Sequence, residues 1–445
     1  MGKPKTDEDR KLEAAAQTTA FLEKFSSLVG PDEIIEAGMR LGAIERKRKV
    51  DLAKLVQATI LALSPIPGTQ MTGFQNYMSL SGVPIAPSTY YDHFNLGFSK
   101  LMELVAQRAL ELVRDTIPPD ERESDFGTLL RHFKEVRITD STSHFLKRFA
   151  KHWAPSTNKP RPAAIKVHAT ISLADALPIE NPTITPQRVH DNKAFNVETL
   201  EPGTLHLFDL GYVDQDRFVK MVLDDVSFLT RLKQSQNPTI DRVHRGKGSR
   251  IACRGLRLDD ALREGVLTLE DGCVDVDIRL DGAPGTCVAR VVALADPSDG
   301  LHWYLTSVPR AVLSATDVGE AYRLRWLIEL VFKQAKSGLG LNSILAWREP
   351  AVAALIHAKI VALCLARLLE YAVQQKDPKH VHTSLSMVLV LARSTGLLIA
   401  HQLMSEGVTI KEFERRIMLI ATVAARTRNQ RRERTKRKRE ARLGA

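Results

Sequence analysis

"YRLRWLIELVFKQAK", Tyr322 to Lys336, has the periodicity of an amphipathic helix, and its polar side carries an uncommon set of groups. Steps of 3, 4 and 7 residues at about 100° each bring Tyr322, Arg325, Glu329 and Lys336 within roughly 60° of one another. They form one stripe. Leu324, Leu327, Ile328, Val331, Phe332 and Ala335 fall on the opposite side, the apolar face that a core-facing helix needs. An isolated Arg/Glu pair at i,i+4 is ordinarily a surface pair that stabilises its helix by about 0.2–0.5 kcal/mol. Four groups suited to phosphate and metal on one stripe raise a second reading, which the rest of the chain must decide.

At 445 residues the chain exceeds a usual single core, so two or three domains are expected. Its 63 Lys plus Arg against 52 Asp plus Glu leave a net charge of +11, which favours a polyanionic partner. Much of that excess is local: "RTRNQRRERTKRKREAR", Arg426 to Arg442, is the densest basic run, readable either as a solvated tail or as a nucleic-acid contact. Cys253, Cys273, Cys287 and Cys364 show neither a CxxC pair nor zinc spacing, so no disulfide framework or zinc site is indicated and a reducing cytoplasm fits. The first residues lack the apolar core of a signal peptide, and the most apolar stretch, "AVAALIHAKIVALCLARLLEYAV", is interrupted by His357, Lys359 and Arg367. A soluble, cytoplasmic and nucleoid-associated protein with no membrane partner is the expectation.

From about Glu8 to Ile117 the pattern is helical, with breaks at "GPDE" and "SPIPGTQMTG". Within it, "TGFQNYMSLSGVPIAPSTYYDHF" predicts helix, short turn and a second helix near Ser88. That is compatible with a helix-turn-helix exposing Ser88, Thr89, Tyr90, Tyr91 and His93, or with a generic helical hairpin. "KEVRITDST", "AAIKVHATISL" and "TLHLFDLGY" read as strands, with a helix after Asp214 leading to "FLTRLK". A β-rich segment of roughly 75 residues follows, through "GVLTLEDGCVDVDIRL", "TCVARVVALAD" and "HWYLTSVP". Helix resumes near Asp317, with candidates around 351–375, 383–404 and 410–428. The expected division is a helical DNA-end-binding domain over 1–125, an α/β core over 126–345 interrupted at about 235–310, and a helical C-terminal region over 346–445 with its basic tail.

Asp140 and Asp209 each end a β-like run and precede residues that can turn, so they could converge from adjacent strands, and Glu329 on the later helix could complete a cluster. Three such carboxylates suit hard Mg²⁺ or Mn²⁺, and two ions about 3.5–4 Å apart serve phosphodiester chemistry. A single Asp at a strand end is ordinarily a turn or cap, and residue type does not select three acids from 52. Asp191, Asp214, Asp216, Asp224 and Asp225 are rivals, expected to face solvent or to cap.

The spacing Tyr322, Arg325, Glu329, Lys336 matches Y-x2-R-x3-E-x6-K at all four positions. In this the chain resembles the DDE transposases of the bacterial insertion-sequence-four type, the family that includes the transposon-five transposase. "TDST" at Asp140, "KVHATIS", "DLGY" at Asp209, "FLTRLK" and "WYLTSVP" follow the family's order from about residue 130 to 345. The resemblance implies a ribonuclease H-like catalytic core (α/β) with a β-strand insertion, flanked by N-terminal and C-terminal helical regions. It implies Asp140, Asp209 and Glu329 as catalytic metal ligands for Mg²⁺ or Mn²⁺, in all two ions, with Tyr322, Arg325 and Lys336 gripping transposon-end DNA through phosphates near the cut. The activity implied is cut-and-paste transposition: nicking by water, hairpin formation by the freed 3′-OH, hairpin opening and strand transfer. The partners implied are inverted-repeat end DNA, target DNA and a second copy of the chain in a synaptic homodimer.

In relatives a Trp just before an "LT" pair accommodates a flipped base, and Trp303 is offset from that place by about one residue, beside His302. It is expected either as that platform or as a core tryptophan, since a one-residue offset in a strand reverses the face. Lys166 and His168, on one face of a strand, and Arg231 are further candidates for DNA contact. The competing functions are a catalytically silent DNA-binding derivative and a hydrolytic nuclease sharing the core.

Overall fold

The computed structural model describes residues 28, 30–45, 50–62, 70–118, 131–173, 179–195, 200–248, 250–296, 300–333, 335–336, 339–341, 344, 346–376 and five positions from 407 to 415. The chain divides into two compact units, one within 1–112 and 334–445, the other 113–333. The N-terminal and C-terminal helical segments, expected as separate regions, thus share one unit.

That helical unit contains α1 (Pro31–Arg40), α2 (Leu52–Ile60), α3 (Gln70–Ser81), α4 (Pro87–Asp92) and most of α5 (Leu96–Thr116). Asp51 starts α2 by accepting from the Lys54 N–H at 3.1 Å, a local N-cap. α3, the turn and α4 follow the expected helix-turn-helix order, but Tyr90 is not an exposed reader. Its ring is buried among Phe74, Tyr77, Tyr91 and Phe94, with centroids 5.1–5.9 Å away. An aromatic of that size is retained by the core, and only Ser88 and Thr89 of the expected readers are exposed. The helix Glu349–Lys376 packs against α2, and Lys359 Nζ donates to the Ala62 carbonyl at 2.8 Å. Its segment Glu349–Ala372 is long and apolar enough to cross a membrane, yet 78% of its most apolar window is buried inside the protein, as in a core helix. The candidate helices at 383–404 and 410–428, and the tail Arg426–Arg442, lie outside the described residues, a few positions near 410 apart.

The second unit is built on a nine-stranded mixed sheet: β1 (Glu135–Phe145), β2 (Ala164–Ser172), β3 (Glu180–Pro186), β4 (Thr204–Phe208), β5 (Ser227–Leu232), β6 (Ile240–Arg245), β9 (Cys273–Gly282), β10 (Gly285–Asp296) and β11 (Gly300–Thr306). β7 (Lys247–Gly248) and β8 (Leu267–Thr268) pair separately. The order is β3-β2-β1-β4-β5-β11-β10-β9-β6. β1, β2 and β3 form an antiparallel meander, and β4 and β5 run parallel to β1, the arrangement of a ribonuclease H-like core. β4, "TLHLF", is buried at every position, as expected of a parallel strand covered on both faces. Helix α6 (Gln215–Leu223) makes the crossover from β4 to β5, capped by Asp214, which accepts from the Arg217 N–H at 3.0 Å.

The β-rich insertion does not fold as a separate layer. Its strands extend the same sheet, because the free edge of β5 is taken up by antiparallel β11 and then by β10, β9 and β6. A shared apolar core runs across the junction, with Phe218 stacked on Phe228 at 4.1 Å between centroids. In the insertion, Arg290 is buried and binds Asp275 through Nη2 at 2.6 Å and Nε at 2.9–3.0 Å, while its Nη1 donates to the Leu313 carbonyl at 2.6 Å. Arg310 donates to Asp275 and Asp277 at 2.6 and 2.8 Å. This network ties the turn at 310–313 to the sheet immediately before Ser314, the N-cap of the next helix, α9 (Ala315–Arg323). Short helices α7 (Arg250–Cys253) and α8 (Leu258–Arg263) precede β8, and α10 (Trp326–Lys333) follows α9.

Candidate active site

Asp140 lies within β1, and Asp209 follows the last residue of β4. These strands are parallel with Thr139 opposite Phe208, so the next step in register sets Asp140 beside Asp209 on strands about 4.8 Å apart. α10 packs on β1 and brings Glu329 to the same place. Burial pushes the Asp140 carboxyl up to about 6. The charges of Asp209 and Glu329 push the same way, against the Ser141 N–H bond at 2.7 Å and the Arg325 guanidinium. Mutual repulsion of this kind requires that the three acids share one electrostatic neighbourhood.

Arg325 stands between two of them. Its Nη1 donates to Asp140 Oδ2 at 2.9 Å and its Nη2 to Glu329 Oε1 at 2.5 Å. Burial works against the Arg325 charge, but Tyr322, Glu329, Asp140 and Asp209 outweigh it and hold the guanidinium above its ordinary value. Among the described residues no three His, Cys, Asp or Glu side chains stand close enough to hold one metal ion. The arrangement is a set of hard oxygen donors with a protein cation among them.

The signature stretch is not one straight helix. α9 ends at Arg323 and α10 starts at Trp326, with i→i−3 bonds from Leu324 N to Ala321 O (3.2 Å) and Arg325 N to Tyr322 O (3.0 Å) tightening the joint. The polar groups are correspondingly less exposed than a helical stripe predicts. Tyr322 is buried with its ring 5.4 Å from that of Tyr304. Among the described residues the Tyr322 hydroxyl and Arg325 Nε, both buried, meet no hydrogen-bond partner. Lys336 is half-buried, with 335–336 in π-helical conformation, and belongs to the helical unit.

Other expected contacts are displaced. Trp303 is buried at 1% exposure in the core shared with β5, so it is a core tryptophan and not an open base platform. Strand alternation explains it: Trp303 pairs with Leu232 on the core face, while Tyr304 pairs with Arg231 and turns toward Tyr322. The residue directly before "LT" is therefore Tyr304. His168 is also corrected: it is buried, with Nδ1 on the Tyr212 hydroxyl and Nε2 on Thr185 Oγ1, both at 2.8 Å. Burial lowers it to about 4, so it is a neutral structural link with no free nitrogen for DNA. Lys166 Nζ is engaged by Asp191 at 2.7 Å and the Val189 carbonyl at 3.1 Å. Arg231 Nη2 meets His302 Nδ1 on the face that carries Tyr304.

Three features escaped sequence reasoning. Asp191 is not a solvent-facing acid: it accepts from Lys166 and from Ser141 Oγ at 3.2 Å, beside Asp140. A Cβ at Gly211 would lie 2.7 Å from Asp191 Oδ2, which accounts for the glycine of "DLGY". Trp326, next to Arg325, is 58% exposed although its neighbours Ile328 and Phe332 are buried.

A ribonuclease H-like sheet with acids gathered at its central parallel strands is the frame of proteins that process nucleic acids. The family described as the transposase DDE domain matches residues 131–365, a little over half of the chain, and the chain belongs to that family of transposases. It is 22% identical over 395 residues to the transposase of insertion sequence element IS231F from Bacillus thuringiensis subsp. israelensis, covering 80% of each chain. It is 48% identical over 62 residues to the transposase of element IS421 from Escherichia coli, covering 14% of this chain and 16% of that one. A cryo-EM structure of the piggyBac transposase synaptic complex with hairpin DNA aligns with a TM-score of 0.42 at 11% identity, over 90% of this chain and 85% of that one. That likeness is too low to weigh on the fold.

Proposed function

We propose that this transposase moves an insertion sequence by cut-and-paste chemistry, with Asp140, Asp209 and Glu329 as the carboxylates of the reaction centre. The observation that carries the reading is Arg325 bridging Asp140 and Glu329, beside an Asp140 carboxyl that burial first, and then the charges of Asp209 and Glu329, raise to about 6. A hard divalent cation fits this donor set by charge and by oxygen chemistry. Two Mg²⁺ or Mn²⁺ ions, when bound, would stabilise the attacking and leaving oxygens of an in-line displacement. Arg325 and Tyr322 then have work for their unpaired Nε and hydroxyl groups, which suit the oxygens of a phosphate close to the cut. By the spacing of the motif Lys336 would be a third grip, and Arg231 a further DNA contact. The DNA partners are the inverted-repeat ends of the element and a target duplex, and joining two ends requires a pair of chains.

The test is product analysis with purified protein, Mg²⁺ and duplexes that carry the element's own terminal repeats and flank. Hairpin ends and strand-transfer products are expected. Cleavage with neither product would replace this reading with a hydrolytic nuclease, and binding without cleavage would replace it with a silent derivative.

A further inference from the structure

The connection between β1 and β2 has a charge pattern unlike the rest of the chain. From Ser141 to Ala174 there are six Lys or Arg residues and no Asp or Glu. Lys147, Arg148, Lys151, Lys159 and Arg161 are exposed, and among the described residues none of the five pairs with a carboxylate. Phe149 lies within the same group at 61% exposure, with the Arg148 guanidinium 5.5 Å from its ring centroid.

The connection is held stiffly. Ala150, Ala154, Ser156 and Ala163 are buried beneath it. Ala154 N donates to Ala150 O at 2.8 Å, Ala164 N to Ala154 O at 3.0 Å and Ser156 N to Pro162 O at 3.0 Å. Its acceptor side chains are used internally: Ser156 Oγ donates to Gln187 Oε1 (2.7 Å) and accepts from Asn158 N (2.9 Å), and Asn158 Oδ1 accepts from Arg161 N (3.1 Å). Facing solvent beside His152, Thr157 and Asn158, the five cations suit the phosphate oxygens of a duplex whatever its sequence.

Its place along β1 matters as well. Phe145 is five residues beyond Asp140, about 17 Å at strand rise, a span of roughly five base pairs. A duplex engaged at the carboxylates can reach it. We propose that residues 146–162 form a rigid, sequence-indifferent phosphate track for target DNA, a surface that rests on the transposase reading of the carboxylate site. The element's ends have a fixed sequence, whereas a target does not. Flanking donor DNA is also variable, but it leaves after cutting, while the target must be held through joining.

The variant Lys147→Ala/Arg148→Ala/Lys151→Ala removes three exposed side chains, and its fold is checked by thermal melting. Two reactions are followed in the same buffer: cutting of an end duplex with its flank, and joining of a pre-cut end to a supercoiled plasmid. Cutting is expected at the wild-type rate, and joining is expected to fall about tenfold or more at about 0.15 M salt. Binding to a random-sequence duplex should lose about 2.7 from its log–log salt slope, at about 0.9 per phosphate contact. Unchanged joining with an unchanged slope overturns the track and leaves the transposase reading intact. Equal losses in cutting and joining assign the patch to end or flanking DNA instead, which also overturns it. A wild-type protein that neither cuts nor joins overturns the underlying reading and the track with it. Lys159→Ala alone gives a milder, independent version should the triple variant melt early.

Discussion

Arg325 organises the site at the scale of single side chains, because its guanidinium ties Asp140 to Glu329 and neutralises part of a crowded set of acids. Arg325→Ala should therefore lower the stability of the metal-free protein by about 1–3 kcal/mol, somewhat less than a fully buried pair because Glu329 is partly exposed. The same variant should show a larger rise in melting temperature on adding Mn²⁺ than the wild type does, since the ion replaces a missing cation. Melts in EDTA and in Mn²⁺ measure both, and equal shifts for the two proteins would contradict this role. The sequence motif singled out Arg325 as a DNA grip and Glu329 as a metal ligand but did not foresee the Arg325–Asp140 pair, and residue type alone could not choose three acids among 52. Asp191 and Gly211 were out of reach because their meaning is a close approach between segments far apart in the chain. Trp303 was legible only as an alternative: which face of β11 meets the core depends on pairing with β5, and pairing is not written in local pattern.

Elements position these groups through contacts that periodicity does not carry. A continuous helix over 322–336 follows from spacing, yet the backbone tightens at Leu324–Arg325 and starts again as α10. Tyr322 is thereby turned into the protein, against Tyr304. The alternation of β9, β10 and β11 was clear in sequence, whereas their union with the core sheet through β5 required the tertiary fold. Arg290 illustrates what the insertion contributes. It links Asp275 to the Leu313 carbonyl just ahead of α9, so the signature helices start from a fixed point. Arg290→Met would leave the buried Asp275 with Arg310 alone and should cost about 3 kcal/mol or more. Denaturant unfolding checks this, and a loss under about 1 kcal/mol would show that Arg310 suffices.

Across the whole molecule, the two units answer to different forces. The helical unit buries Lys359, whose ammonium is lowered to about 8 by burial. Below that value the lysine is charged in both folded and unfolded chains, and the burial cost is present in full. Between about 8 and 10.5 the unfolded chain holds the proton that the folded one has released, so stability rises with pH across this window. Lys359→Met should stabilise the protein by about 1 kcal/mol or more at pH 7, with the advantage shrinking as pH rises toward 10.5. Parallel melting curves at pH 7 and pH 10 test it, and a constant difference would rule it out. The sheet unit instead gathers like charge at the middle of its sheet, an arrangement that costs stability and that the proposed binding of cation and DNA would explain. The most direct measurement of that claim is cleavage of an end-repeat duplex in Mg²⁺ by the wild type and by Glu329→Gln, which keeps size and an acceptor for Arg325. Cleavage should fall by about a thousandfold or more while binding of the same duplex in EDTA stays within about twofold. Wild-type cleavage by Glu329→Gln would contradict the assignment of the site.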